Sequence, residues 1–311
     1  MLPGRPRTPA GLRLAFDSVT DYVHGYSDVE RDRLADQADV LTDLLHGDTH
    51  YPAGARVLEA GCGVGAQTSI LARRSPRALI TSTDISATSL AEAQRRIRAE
   101  GHHNVRFEQQ DINRLTFDDA SFDHVFVCFV LEHLSDPEAA LRSLLRVLRP
   151  TGTITVIEGD HGSAFFHPDG ERARRVVQCL VDLQAAAGGD ALIGRRLRPL
   201  LVRAGAREPR VIARQVYVDG DRKPLIEGFT RKTFIAMVEA VGNRAVEAGL
   251  ISQPAWDAGV RELERTATDD GTFCYTFFKA VGTRDPMSSS GRSVQATTPG
   301  SPGGPDLPAT R

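Results

Sequence analysis

The chain has 311 residues, 41% of them hydrophobic, and a formal net charge of -2. That is enough apolar material for a full core, in one large α/β domain with appendages or two small domains. The near-neutral balance gives no electrostatic case for nucleic acid, whose binders show a basic face or stripe, and favours a small-molecule partner, with no nucleic acid expected.

Residues 1–10 are rich in Pro, Gly and Arg and are expected to be disordered. They lack the apolar stretch of a secretory signal, and no run in the chain approaches the roughly 18 apolar residues of a membrane span, so a cytoplasmic location away from membranes is expected. From Ser27 to His46, apolar residues at 29, 34, 38, 41, 44 and 45 fall mostly three or four apart behind Ser27 as N-cap, which predicts an amphipathic helix. From residue 55, strands are predicted at Arg56–Glu59, Leu79–Asp84, Val105–Gln109, His124–Val130 and Thr153–Glu158. Helices are predicted at Ala66–Arg74, Ser89–Glu100 and Glu138–Val147. This alternation implies a parallel sheet with helices on both faces, and a binding site at the carboxyl ends of its strands.

Beyond Glu158 the pattern predicts a polar loop over 159–170, a helix over Glu171–Ala187 and another over Leu197–Gly205. A β-rich run over 210–218, a helical block over about 225–265 and a strand at Thr272–Val281 follow. The two β segments can pair as the last, antiparallel strands of the same sheet, which leaves the helices between them as an insertion forming a lid. The tail from 285 to 311 has no apolar periodicity and reads as disordered. The expected division is therefore a loose 1–10, an N-terminal helical lid over 11–50, a core over 51–160, the rest of the sheet with its helical insertion over 161–284, and the tail. Cysteines 62, 128, 179 and 274 form no close pair of the zinc or redox kind; they are expected to be reduced, and no metal is expected.

The chemistry starts at Glu59-Ala-Gly-Cys-Gly-Val-Gly65, which follows a short strand and opens a helix. Gly61, Gly63 and Gly65 let the backbone turn tightly and come close to a ligand. The spacing is G-x-G-x-G rather than the G-x-G-x-x-G that seats a pyrophosphate, and Glu59 stands where a phosphate would be repelled. A ligand carrying an ammonium group fits better. Asp84 ends the next strand, 25 residues after Glu59, where a carboxylate can accept from both ribose hydroxyls or cap a turn with Ser86. Asp111, after the third strand, can accept an adenine amino group or serve as an ordinary loop residue.

In order and spacing these residues resemble the class I S-adenosylmethionine (SAM)-dependent methyltransferases. Ser121-Phe-Asp-His-Val-Phe-Val-Cys-Phe-Val-Leu-Glu-His-Leu134 matches that family's fourth strand and Leu148-Arg-Pro-Thr-Gly-Thr153 the approach to its fifth. The resemblance covers roughly residues 25–160. It implies a doubly wound, mostly parallel seven-stranded sheet of the Rossmann-like methyltransferase fold, with SAM as cofactor. It also implies that Glu59, Gly61, Cys62, Gly63 and Gly65 face the methionine moiety, with Gln67 reaching that end, Asp84 and Ile85 the ribose, and Asp111 and Ile112 the adenine. Cys128 and Phe129 line the wall beside the sulfonium. His133 and Glu132 of Leu131-Glu-His-Leu134 are expected to be architectural, as that tripeptide recurs in the family without a catalytic role.

A sulfonium methyl group is already electrophilic, so the protein must mainly align the acceptor and exclude water. Two segments are candidates for the acceptor pocket. One is Tyr22 to Tyr26, a lid over the cofactor, with Arg33 and Gln37 farther along its helix; the alternative is aromatic packing of the N-terminus. The other is Glu158-Gly-Asp-His-Gly162 with Phe165, Phe166 and His167. There Glu158, Asp160 and His161 are candidate bases, Phe166 and His167 substrate contacts, and Phe229, Phe234 and Trp256 either added wall or core of the insertion. These segments resemble bacterial natural-product methyltransferases, including those of the teleocidin type, which methylate a prenyl carbon and let the cation cyclise. The resemblance implies a small, hydrophobic acceptor. O- or N-methylation, and a SAM-binding protein without transfer, are the alternatives; a homo-oligomer is left open. For a dehydrogenase or a macromolecule modifier, this chain lacks the required glycine spacing or motif.

Overall fold

The computed structural model describes residues 41–285, so residues 11–40 of the predicted N-terminal lid, most of the helix ending at His46, and the candidates Tyr22, Tyr26, Arg33 and Gln37 lie outside the described residues. A single seven-stranded sheet organises the rest. Its strands are β1 (Arg56–Ala60), β2 (Leu79–Asp84), β3 (Val105–Gln109), β4 (Phe122–Cys128), β5 (Leu148–His167), β6 (Ala206–Val218) and β7 (Thr272–Arg284), in the order β3-β2-β1-β4-β5-β7-β6. The first five are parallel; β7 runs antiparallel between β5 and β6. Chain order reverses between β1 and β4, the switch point beside which open α/β sheets bind their ligands.

The first helices are α1 (Thr42–His46), α2 (Ala66–Arg74), α3 (Ala87–Ala99) and α4 (Pro137–Val147), followed by α5 (Glu171–Ala186) and α6 (Leu197–Ala204). Their starts are coded locally. Ser86 accepts from Ser89 N–H at the head of α3, and Asp136, ahead of Pro137, accepts from Ala139 N–H at the head of α4. Two apolar layers result. One face of the sheet, with Val57, Phe126 and Ile157, packs under Leu41, Leu45 and α5. The other, with Leu58, Val125 and Ile154, packs on Leu141, Leu144 and Leu197.

Two strand predictions need correction. β4 begins at Phe122 and stops at Cys128, not Val130, because Phe129 takes a left-handed conformation, φ 58°, that turns the chain out of the sheet. The expected polar loop over 159–170 is mostly strand. After an irregularity between Asp160 and Phe165, Phe165, Phe166 and His167 pair with Cys274, Phe273 and Thr272, so β7 supplies hydrogen-bond partners that a parallel neighbour alone would not.

The helical insertion between β6 and β7 is present. It comprises a helical run over 223–239, then α7 (Gly242–Glu247) and α8 (Gln253–Glu264). The middle of the run, Ile226–Ile235, is wound as a π-helix, with Thr233 Oγ1 donating to Gly228 O at 2.7 Å. Residues five apart point roughly 140° away from each other on an α-helix. The wider π turn swings Phe229 and Phe234 toward one side, where both pack on Phe273 and Tyr275 of β7. No helix among the described residues is long and apolar enough to cross a membrane.

Candidate functional site

At the carboxyl end of β1 the chain passes through three left-handed glycines, with φ 74° at Gly61, 51° at Gly63 and 83° at Gly65, before entering α2. The loop is tied to β2: Gly61 and Cys62 N–H donate to Thr83 O at 2.8 and 2.9 Å, and Gly63 N–H donates to Asp84 Oδ2 at 2.8 Å. The glycines differ in surroundings. A Cβ on Gly61 would lie 2.5 Å from Val130 Cγ2 and one on Gly65 2.9 Å from Ala93 Cβ, whereas a Cβ on Gly63 meets no atom within 4 Å. Gly61 and Gly65 are needed for close packing, and Gly63 faces open space at the mouth of the loop.

Glu59 is buried below that loop. Its Oε2 accepts from Thr68 Oγ1 at 2.7 Å and Ser82 Oγ at 2.6 Å. Burial pushes its carboxyl up to about 7, against the pull of those two hydroxyls. A cationic ligand group is the partner such a carboxylate lacks. Asp84 is half-buried. It accepts from Gly63 N–H and, through Oδ1, from Ser86 N–H at 2.9 Å, so it is a turn-former as well as a candidate ribose acceptor. Ile85 beside it is 48% exposed, more than core packing would allow. Asp111 and Ile112 sit in the turn after β3, with Asp111 Oδ1 accepting from Asn113 N–H and Ile112 leaning on the core. Gln67 Oε1, on the first turn of α2, is buried without a protein partner. Cys128 is buried and its thiol is pushed well up by burial, and Phe129 follows in its left-handed turn, N–H donating to Ile157 O. A buried carboxylate, an orphaned amide oxygen, an open glycine and a carboxylate at the next strand end fit an amino-acid-bearing nucleoside such as SAM.

The acceptor-side candidates separate by strand alternation. Glu158 and Asp160 point to one face of β5, and His161 to the other. Glu158 is fully buried; its Oε1 accepts from Val130 N–H at 3.1 Å and Leu131 N–H at 2.8 Å and so holds the turn after β4, while its Oε2 has no protein partner. Burial, reinforced by the Glu132 charge, pushes its carboxyl well above the usual range. Asp160 is held bidentately by Arg195, at 2.6 and 2.7 Å, and by Gly162 N–H at 3.0 Å. His161 is buried, with Nδ1 2.8 Å from the Tyr275 hydroxyl and its ring edge-on to Phe234. Phe166 stacks on Phe273, with ring planes 5° apart, and His167 is exposed.

His161 and Phe166 border a largely buried aromatic cluster that links Phe129, Phe277, Phe229, Tyr275, Phe273 and Phe234. Trp256 lies elsewhere, where it covers Gly242 inside the insertion. The sequence pass over 272–281 reads a strand but misses that Phe273, Tyr275 and Phe277, at period two, share one face opposite Gly159 and His161. That spacing was the available signal. Arg195, one of three arginines in Arg195-Arg-Leu-Arg198, has nothing in the sequence to mark it as the partner of Asp160.

Comparison with known proteins matches residues 58–156 to the methyltransferase domain family. The methyltransferase GfsG of Streptomyces halstedii is 34% identical over 148 residues, which are 47% of this chain and 53% of that protein. The 27-O-demethylrifamycin SV methyltransferase of Amycolatopsis mediterranei is 32% identical over 183 residues, 54% of this chain and 66% of that one. The chain thus spans between half and two thirds of the relatives it matches. Among solved structures, phosphoethanolamine N-methyltransferase 2 of Haemonchus contortus, in complex with S-adenosylhomocysteine, superposes with a TM-score of 0.50 at 18% identity. It covers 79% of this chain and 53% of its own, a likeness of fold.

Proposed function

We propose that this chain, whose residues 58–156 match the methyltransferase domain family, is a class I SAM-dependent methyltransferase that transfers a methyl group to a small, hydrophobic acceptor. SAM is its cofactor and, when bound, supplies an electrophilic methyl group on sulfonium.

Glu59 would hold the ammonium of the methionine moiety, Asp84 the ribose hydroxyls, and Asp111 and Ile112 the adenine. Gly63 lets the chain pass under the ligand, and Gln67 turns its orphaned oxygen toward the methionine end. Cys128 and Phe129 wall the methyl group. The acceptor rests against the aromatic cluster that starts at Phe129, and Phe166 closes that side. That cluster, at the carboxyl end of β5 and the amino end of its antiparallel neighbour β7, is the observation that carries the acceptor reading. A wall of six aromatic rings suits an apolar molecule, and above all one that becomes a cation on methylation, because the ring faces stabilise positive charge. The finer assignment is therefore the alkene carbon of a prenylated natural product, with cyclisation of the cation that results. His161, beside Phe234 and Tyr275, is the polar group on the cluster's face of β5 in this reading, with His167 farther along the strand, whereas Glu158 and Asp160 lie on the opposite face.

O-methylation is the second reading, favoured by the relative that acts on 27-O-demethylrifamycin SV. One experiment separates the two. The chain is incubated with methyl-labelled SAM and, in turn, a prenylated indole, a phenol and a secondary amine, and the products are weighed and their new methyl group located. A label on the prenyl carbon supports the first reading. A label on oxygen alone replaces it with the second.

A further inference from the structure

We propose that Glu158 is a positioning residue that clamps the turn after β4 against the glycine loop, and that it serves methyl transfer through that turn and not as a base. The proposal rests on the transfer reading above and adds what holds the wall beside the methyl group in place.

The turn leads from Phe129 through a 3-10 stretch, Leu131–His133, toward α4. The last bond of the β4–β5 ladder is Phe129 N–H to Ile157 O, at 2.9 Å. Beyond it the left-handed Phe129 carries the chain out of the sheet, and the N–H groups of Val130 and Leu131 have no strand to meet. The next residue of β5 takes both. Glu158 Oε1 accepts from Val130 N–H at 3.1 Å and from Leu131 N–H at 2.8 Å, and Glu132 N–H is also directed at that carboxyl. One side chain continues the pairing where the backbone ladder stops. A buried N–H that loses its acceptor is costly, so this carboxyl decides the path of the turn.

The turn touches both halves of the cofactor site. Val130 packs on the glycine loop so closely that a Cβ on Gly61 would lie 2.5 Å from its Cγ2 and 3.0 Å from its Cγ1. Cys128 and Phe129, just before it, are the wall of the methyl group in the reading above. On its far side the turn is held by α5 and the loop after it. Gln184 Nε2 donates to Glu132 O at 3.1 Å and to Glu132 Oε2 at 3.2 Å, and Asp190 N–H donates to Glu132 O at 2.8 Å. Release of the Glu158 end would let wall and loop move together, and a displacement of about 1 Å at a reacting centre can cost a hundredfold in rate.

The surroundings of Glu158 do not suit a base. The residue is fully buried, and strand alternation turns it to the face of β5 opposite His161 and the aromatic cluster. No basic side chain meets it among the described residues: Oε1 is taken by backbone N–H groups, and Oε2 is buried without a partner. The titratable groups around it are Glu132 on the turn, Cys128 of β4 and Tyr275 of β7, all acids, while Asp160 is neutralised by Arg195. Two neighbouring buried carboxyls do not both ionise. Glu132 takes the charge, because its Oε2 accepts from Gln184 and its Oε1 lies 3.6 Å from His133 Nε2. Glu158 keeps its proton, in line with the upward push that burial and the Glu132 charge give its carboxyl. A neutral carboxyl accepts N–H groups through Oε1 in the way an amide oxygen does.

That equivalence supplies the test, in which Glu158→Gln is compared with Glu158→Leu. Glutamine keeps an acceptor for the turn and has no basic oxygen; leucine keeps bulk and removes the acceptor. Calorimetry with SAM and the labelled-SAM assay on the three acceptors are run on both variants and on the native chain. Glu158→Leu is expected to weaken SAM binding about 30-fold and to lower kcat at saturating SAM about 100-fold. Glu158→Gln should recover both to within about threefold of native, with the native pH profile of kcat. Amide hydrogen exchange in the native chain and Glu158→Gln needs no folded leucine variant, and should show Val130 and Leu131 N–H protected in both.

A Glu158→Gln chain that binds SAM as the native does but loses transfer overturns the clamp and makes Glu158 a base, leaving the transfer reading intact. Native Val130 and Leu131 amides that exchange as freely as exposed ones overturn it as well, as does a folded Glu158→Leu chain with native SAM affinity and kcat. A native chain that labels none of the acceptors overturns the transfer reading, and SAM affinity and amide exchange then still decide whether Glu158 holds the turn.

Discussion

The proposed contact between Glu59 and the ammonium of SAM makes cofactor binding pH-dependent in a way that one substitution removes. Burial moves the Glu59 carboxyl from 4.5 to about 7. At 1.36 kcal/mol per pKa unit the native state disfavours the ionised form by about 3 kcal/mol. The native chain then binds more protons than the unfolded one between those two values. The stability of the ligand-free chain therefore falls as pH rises from 4.5 to about 7 and levels off above it. Cofactor binding has the opposite preference, because the ammonium pairs with the ionised carboxylate. About 3% of the chain is binding-competent at pH 5.5 and about half at pH 7, so SAM affinity should weaken about fifteenfold from pH 7 to 5.5. The α-amino group of the ligand stays charged throughout, as such groups ionise near 7.7 to 8.0. Calorimetry in two buffers of different ionisation enthalpy should show nearly one proton released per SAM bound at pH 5.5. Glu59→Gln should bind more weakly at pH 7, with no proton release and no pH dependence in this interval. A native chain whose SAM affinity is flat from 5.5 to 7 would refute the contact.

Asp84→Ala should weaken SAM binding by about 1–3 kcal/mol through the loss of its hydroxyl partners, and unchanged affinity in a titration would reject that role. The loop glycines should separate packing from binding. Gly61→Ala, whose Cβ would strike Val130 and which also bears the left-handed penalty, is expected to cost about 2–5 kcal/mol in urea unfolding. Gly63→Ala, in open space, should cost only the left-handed penalty of about 1–2 kcal/mol yet lose most SAM affinity; equal behaviour of the two would contradict the placement of the ligand over Gly63. Arg195→Ala leaves the Asp160 carboxylate buried, 2% exposed, with only the Gly162 N–H, and because Arg195 is itself half exposed should destabilise the chain by about 1–3 kcal/mol. A loss under about 1 kcal/mol in the same unfolding assay would show that Asp160 is not held as an ion.

The parallel half of the molecule was largely legible because its determinants are local. β2 and β3 begin and end where alternation and turn residues put them, and α2 starts at the glycine that ends the loop. The positions of Glu59 and Asp84 in the last residues of β1 and β2, and of Asp111 just after β3, were readable for the same reason. The acceptor side was less legible because its determinants are pairings between distant segments. Asp160 reads as a free carboxylate until Arg195, 35 residues on, is seen to hold it. His161 reads as a loop histidine until Tyr275 meets it from 114 residues away. The strand beyond Asp160 exists because β7 is there to pair with it, and Phe229 and Phe234 converge because a π turn, not an α turn, carries them.

The central claim is methyl transfer, and its most direct test is label transfer from methyl-labelled SAM to the three acceptors, with native and Asp84→Ala chains at matched SAM occupancy. The account predicts a product 14 Da heavier from the native chain, with the label on the prenyl carbon, and the same product from the variant once saturating SAM restores occupancy. A native chain saturated with SAM that leaves every acceptor at its original mass would contradict it.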